Sequence, residues 1–168
     1  CPECYYYTSN HDPIQVISLE IPADSNSLNS CLDNYTNKIV LDNGNLWKCD
    51  NCKKSVQAHK KTILFKTSDI IIILLKRYSP NRKIDKFIEY PFQLNLDKYN
   101  KNYGTKKTNI YELSGFCNHS GVLNGGHYFA VCKNIFDKKW YEYNDSSVRN
   151  ITTNEVLNYR PYLLFYTR

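Results

Sequence analysis

The sequence predicts an α+β protein on a mainly antiparallel sheet, with a small metal-clamped extension at its front. Three observations carry this. Four strand-like segments joined by short connections crowd the last third, at residues 111–117, 126–134, 139–144 and 162–166. Only two segments have helical spacing. Two Cys-x-x-Cys pairs, Cys1/Cys4 and Cys49/Cys52, sit far from those strands.

Taken in order, Cys1-Pro2-Glu3-Cys4 opens a knuckle and the tyrosine run at residues 5–8 is expected to leave it as a strand. Residues 15–21 alternate apolar and polar and end at Pro22, a strand signature. Ser25 or Ser27 can cap a helix carrying Leu28, Cys31, Leu32 and Tyr35 on one face at i, i+3, i+4, i+7. Asp42-Asn43-Gly44-Asn45 is a turn, and the second knuckle, Cys49-Asp50-Asn51-Cys52, follows it. Residues 56–65 predict one strand and 70–78 a buried one, separated by an exposed turn at 79–83 from an extended stretch at 84–92. Residues 94–108 are Lys-, Asn- and Tyr-rich, the character of a variable loop. A short helix is expected over 153–159, ahead of Pro161. No repeat and no long linker appears, so one domain is expected.

The chain has 168 residues, 42% of them hydrophobic, with 15 tyrosines, enough for a sizeable core. With no methionine, it is expected to be the downstream part of a longer polypeptide or a processed piece. The net charge of +6 comes from scattered Lys and Arg, which reads as solvated surface and not as a nucleic-acid footprint. The longest apolar run, residues 70–75, suits a buried strand and falls far short of a membrane span. Neither nucleic acid nor membrane is therefore an expected partner. Seven cysteines, an odd number, argue against a full disulfide framework and for a reducing, intracellular (cytoplasmic or nuclear) setting.

The cysteines divide into the two Cys-x-x-Cys pairs and three single residues, Cys31, Cys117 and Cys132. A two-residue spacer lets both thiolates of a knuckle face one ion, and two knuckles complete a tetrahedral Cys4 site. Such a site has no open position, so a structural Zn held by Cys1, Cys4, Cys49 and Cys52 is expected; paired disulfides are the alternative. A zinc-ribbon nucleic-acid binder would use the same cysteines, but it would not need the residues beyond them.

Catalytic chemistry points to Gly125-Gly126-His127-Tyr128 and to Trp140-Tyr141-Glu142-Tyr143-Asn144-Asp145. Two antiparallel strands would place His127 beside Asn144. An amide oxygen accepting from one ring nitrogen fixes the tautomer and leaves the other to take a thiol proton. Gly125 and Gly126 would let a substrate backbone approach the base. A core or capping histidine would satisfy the same residues without chemistry. His119 is expected on a loop near the site, serving substrate contact or plain surface. Cys117 and Cys132 read as small core residues, Cys132 facing away from His127.

These motifs together resemble the ubiquitin-specific proteases, papain-like cysteine deubiquitinases. The resemblance rests on the two Cys-x-x-Cys knuckles, Ile73-Leu74-Leu75-Lys76-Arg77-Tyr78, Asn118-His119-Ser120-Gly121, Gly125-Gly126-His127-Tyr128, the segment from Trp140 to Val148, and Tyr162-Leu163-Leu164-Phe165-Tyr166. It implies a papain-like fold: a mostly antiparallel palm sheet at residues 66–168, and zinc-bearing fingers with their junction at 1–65. The whole chain, 1–168, would then be a partial catalytic domain. It implies ubiquitin carboxyl-terminal hydrolase activity, with His127 as general base, Asn144 orienting it and Asp145 assisting. Gly125, Gly126, Tyr128 and His119 would contact the ubiquitin tail. Ubiquitin or ubiquitin conjugates would be the partners, met by acidic finger residues Glu3, Asp12, Glu20, Asp24, Asp33 and Asp42. The family's Cys box, on a thumb segment, has no counterpart here. The nucleophile is expected upstream, and this chain alone is expected to be inactive. A nucleophile-less ubiquitin-binding or scaffold module is the alternative.

Overall fold

A computed structural model describes residues 1–79, 82–100, 108–122 and 125–168. Its strands are β1 (Val16–Leu19), β2 (Lys38–Leu41), β3 (Trp47–Lys48), β4 (Ser55–Val56), β5 (Ala58–Lys61), β6 (Ile70–Leu75), β7 (Tyr78–Ser79), β8 (Arg82–Lys83), β9 (Gln93–Asn95), β10 (Ile110–Val122), β11 (Gly125–Lys133), β12 (Trp140–Asn144), β13 (Ser147–Ile151) and β14 (Pro161–Thr167). The helices are α1 (Leu28–Thr36) and α2 (Thr153–Val156).

One eight-stranded sheet dominates, in the order β1-β6-β14-β10-β11-β12-β13, with β9 also on β10. Only β1/β6 is parallel; every other ladder of this sheet is antiparallel. This is the expected α+β class. The core lies against this sheet: Leu19, Leu28, Leu32, Ile73, Leu75, Phe116, Leu164 and Tyr166 are almost wholly buried. Buried tyrosines keep their hydroxyls satisfied, as Tyr90 does on Val156 O and Tyr166 on Pro91 O.

Helix α1 starts where the sequence places it. Ser27 is extended, its side chain accepts from Ser30 N, and Ser30 reaches back to the Ser27 N–H, a reciprocal cap. Leu28, Cys31 and Leu32 then face the core. Arg77 is buried too, at 2% exposure, and donates to three carbonyls: Nε to Pro161 O, Nη1 to Ile84 O and Lys86 O. It ties the end of β6 to the start of β14 and to the extended stretch after β8.

The front of the chain forms separate two-stranded sheets, β2/β5 and β3/β4. The strand expected at residues 5–8 does not form. Tyr5 turns left-handed (φ 58°) and its N–H returns to Cys1 O, which commits the run to the knuckle. The strand expected at 56–65 divides between β4 and β5, which pair with different partners, and no strand continues past Lys61. The expected turn at 79–83 is a β7/β8 hairpin whose residues 80–81 lie outside the described residues. Residues 101–107 of the expected loop at 94–108 also lie outside them. Helix α2 ends sooner than expected, at Val156.

Candidate active site and metal centre

His127 is the third residue of β11, and Asn144 the last of β12. The β11/β12 ladder runs from Lys133↔Trp140 to Ala130↔Tyr143, so the two side chains meet just past its end. His127 Nε2 lies 2.6 Å from Asn144 Oδ1. An amide oxygen only accepts, so Nε2 carries the hydrogen and Nδ1 holds the lone pair. Asp145 follows in the two-residue loop to β13, with φ 50°, a conformation Asp tolerates better than most residues. Its Oδ2 is 3.7 Å from the same Nε2, too far for a hydrogen bond. The imidazole is about half exposed, at 47%.

The structure corrects the expectation for His119, which lies on strand β10 and not on a loop. β10 runs unbroken to Val122, and His119 pairs with Tyr128. Asn-His-Ser-Gly has turn composition, but the long hairpin with β11 overrides it. The His119 ring packs between Tyr78, at 5.4 Å, and Tyr128, at 4.6 Å between centroids.

This explains Gly126 in a way the sequence did not. Any Cβ there would overlap the His119 imidazole and the Ser120 carbonyl oxygen, so the chain's own packing already requires glycine. Its partner Gly121 has φ 115° and leaves no room for a side chain either. Gly125, by contrast, faces open space. Gly126→Ala is expected to destabilise by about 1–3 kcal/mol through overpacking. His119→Ala should relieve only the part of that cost due to the ring, the Ser120 carbonyl remaining, and a double-mutant cycle by urea unfolding measures that part.

A cavity of about 520 Å³ opens beside His119, lined among others by Arg77, Tyr78, Lys83, Asn118, Phe129 and Tyr162. Four atoms of its lining residues, Arg77 Nη2, Tyr78 OH, Asn118 Oδ1 and His119 Nδ1, are buried without a hydrogen-bond partner among the described residues. The sequence reading quoted Arg77, Tyr78, Asn118 and Tyr162 within motifs but gave a site role only to His119. Their proximity arises from the β10/β14 ladder and from the Tyr78 ring against His119 and Tyr162, and no local spacing signals it.

The three single cysteines are poor nucleophiles where they stand. Burial pushes the thiols of Cys31, Cys117 and Cys132 above their ordinary value, and a nucleophilic thiol needs the reverse.

At the front, Cys1, Cys4, Cys49 and Cys52 bring their sulfurs within 4.8 Å of one another. Cys1–Cys52 and Cys4–Cys49 are 3.7 Å apart. Zn–S bonds of about 2.3 Å in a tetrahedron give S···S edges of about 3.8 Å, so the cluster fits zinc. The knuckles share one backbone design. Tyr5 N–H donates to Cys1 O and Lys53 N–H to Cys49 O, each at 2.9 Å, and Tyr5 and Lys53 are both left-handed. The Cys4 thiol is held down to about 7, first by the Asn51 side chain and then by the Tyr6 backbone, which favours the thiolate a metal needs.

An antiparallel sheet that presents a histidine oriented by an asparagine, with a Cys4 extension in front, defines a papain-like cysteine protease fold. The sequence model of the family described as ubiquitin carboxyl-terminal hydrolase matches residues 17–166, and this chain belongs to that family. It is 41% identical over 150 residues to ubiquitin carboxyl-terminal hydrolase 10 of Arabidopsis thaliana, covering 86% of this chain and 16% of the relative. It is 37% identical to ubiquitin carboxyl-terminal hydrolase 8 of Saccharomyces cerevisiae, covering 99% of this chain and 38% of the relative. Among solved structures it resembles Ubp8 in the SAGA Ubp8/Sgf11/Sus1/Sgf73 DUB module bound to ubiquitin aldehyde. There the TM-score is 0.83 at 37% identity, over 99% of this chain and 39% of that one. The chain thus spans well under half the length of these relatives.

Proposed function

We propose that this chain is the fingers and palm of a thiol-dependent ubiquitin carboxyl-terminal hydrolase. Residues 1–65 form the fingers and their junction, and 66–168 the palm. The observation that carries the reading is the 2.6 Å contact between His127 Nε2 and Asn144 Oδ1, which leaves Nδ1 as the basic nitrogen. Support comes from the family membership and from the likeness to a module solved with ubiquitin aldehyde.

In this reading a cysteine from outside residues 1–168 approaches His127 Nδ1 and loses its proton to it. The thiolate attacks the carbonyl carbon of the last ubiquitin glycine. The protonated His127 then gives its proton to the departing lysine amine, leaving a thioester. A water molecule, deprotonated by His127, attacks the thioester and releases the ubiquitin carboxylate. Asn144 holds the ring throughout, with Asp145 beside it. Gly125, Gly126, Tyr128 and His119 flank the path of the ubiquitin tail, which the adjoining cavity receives. A Zn held by Cys1, Cys4, Cys49 and Cys52 is structural. Of the acidic finger residues, Glu3, Glu20 and Asp33 are each engaged by a lysine, which leaves Asp12, Asp24 and Asp42 as the better candidates for ubiquitin's basic face. No helix among the described residues is long and apolar enough to cross a membrane. The free thiols suit a cytoplasmic or nuclear setting.

The test is covalent capture by ubiquitin carrying a C-terminal electrophile, read by intact mass. The full gene product is expected to gain one ubiquitin, and residues 1–168 alone none. An unlabelled full product that still retains ubiquitin in a pull-down would establish a binding module instead.

A further inference from the structure

His127 stands on a part of the sheet that has outrun its neighbours. The β10/β14 ladder stops at Asn118↔Pro161, and the β11/β12 ladder at Ala130↔Tyr143. Beyond those points β10 and β11 continue as a bare pair, through Ser120↔His127 to Val122↔Gly125. A two-stranded ribbon is only marginally stable in water. One that presents a catalytic base needs anchoring on both sides. On the β12 side, Asn144 supplies the anchor through its bond to His127.

On the β14 side the anchor is a lysine. Alternate residues of a strand turn their carbonyls to the same edge, and β14 no longer meets those of His119 and Gly121. Lys83 Nζ takes both, donating to His119 O at 3.1 Å and to Gly121 O at 2.8 Å. Asp85 Oδ1 lies 3.2 Å from the same ammonium as an ion pair. The Lys83 side chain is 13% exposed and sits on β8, which the Arg77 bond to Ile84 O fixes to the core.

We infer that Lys83 is a positioning residue for the proposed reaction: its ammonium takes the place of a strand and holds the β10 edge opposite His127. Both of its hydrogen bonds go to this chain's own backbone, so its contribution to the reaction lies in where it holds His127.

The inference rests on the proposed role of His127, and the test separates the two. Lys83→Met in the full gene product is expected to speed amide exchange in residues 119–128 about tenfold while β6 and β14 keep their protection. The kcat for a fluorogenic ubiquitin substrate should fall about 10- to 100-fold with KM nearly unchanged, because a misplaced base loses rate and not affinity. Lys83→Arg, which also donates to two carbonyls, should recover most of that rate. A raised KM at full kcat would make Lys83 a substrate contact and overturn the inference. An unchanged kcat would overturn it too, as would exchange rising equally across β6 and β14. If Lys83→Met does not fold, Lys83→Ala, which also leaves both carbonyls without a donor, takes its place under the same outcomes. If the unmodified protein fails to label with the ubiquitin electrophile, the catalytic reading falls first, and that result is distinct from labelling with an unaffected Lys83 variant.

Discussion

His127→Ala in the full gene product is expected to lower turnover of a ubiquitin conjugate by at least about 10³-fold, with little change in ubiquitin affinity. The imidazole is half exposed and makes no core contact, so the fold should survive its loss and the effect should be one of rate. Asn144→Ala removes only the hydrogen-bond acceptor that sets the tautomer. The ring stays on β11 but is free to turn, and a smaller loss of about 10- to 100-fold follows, since misorientation of this kind costs up to about 10². Asn144→Asp keeps an acceptor for Nε2, so most of the rate that Asn144→Ala loses should remain. Full activity in His127→Ala would remove this residue from the chemistry.

Removing one zinc ligand should be the largest stability effect, and a confined one. Cys49 is fully buried and central to the cluster, so Cys49→Ser is expected to abolish the single zinc equivalent measured by elemental analysis. Structural zinc supplies about 10–16 kcal/mol of apparent binding energy in small zinc peptides, more than β3/β4 and the first knuckle can replace. Those parts include Cys49 and Val56, which are buried but stand outside the main core, so they have little apolar packing to fall back on. Exchange protection should therefore disappear around residues 1–8 and 47–56 while β6, β10 and β14 keep theirs. Protection retained at the front after chelation would show that the thiols hold the extension without a metal.

The parts of the fold that could be read in advance are those where local chemistry and burial agree. The Ser27 cap with Leu28, Cys31 and Leu32 gave α1, and the apolar run over 70–75 gave the buried β6. Gly-Gly-His and Tyr-Asn-Asp pointed to the contact between His127 and Asn144, because the short turn between their strands dictates the pairing. Elsewhere the cues were silent or misleading. β13 is an edge strand, exposed along most of its length, so it has no apolar alternation to detect. β2 has an apolar sequence but an exposed position. The tyrosines at 5–7 favour strands, yet the knuckle needs Tyr5 left-handed. The cavity residues and Lys83 come together through pairings between distant segments, and composition carries no trace of them.

The position of β14 has a consequence for how this segment is made. The last strand lies in the middle of the sheet, between β6 and β10. While the segment is being synthesised, at about 5–20 residues per second, β6 waits on the order of ten seconds for its central neighbour to emerge. Until then two long apolar strands present unpaired edges, the state in which chains join one another. A translational pause or a stop codon just before residue 161 would leave the nascent chain in that state, with nearly every site residue already made and no sheet to hold them.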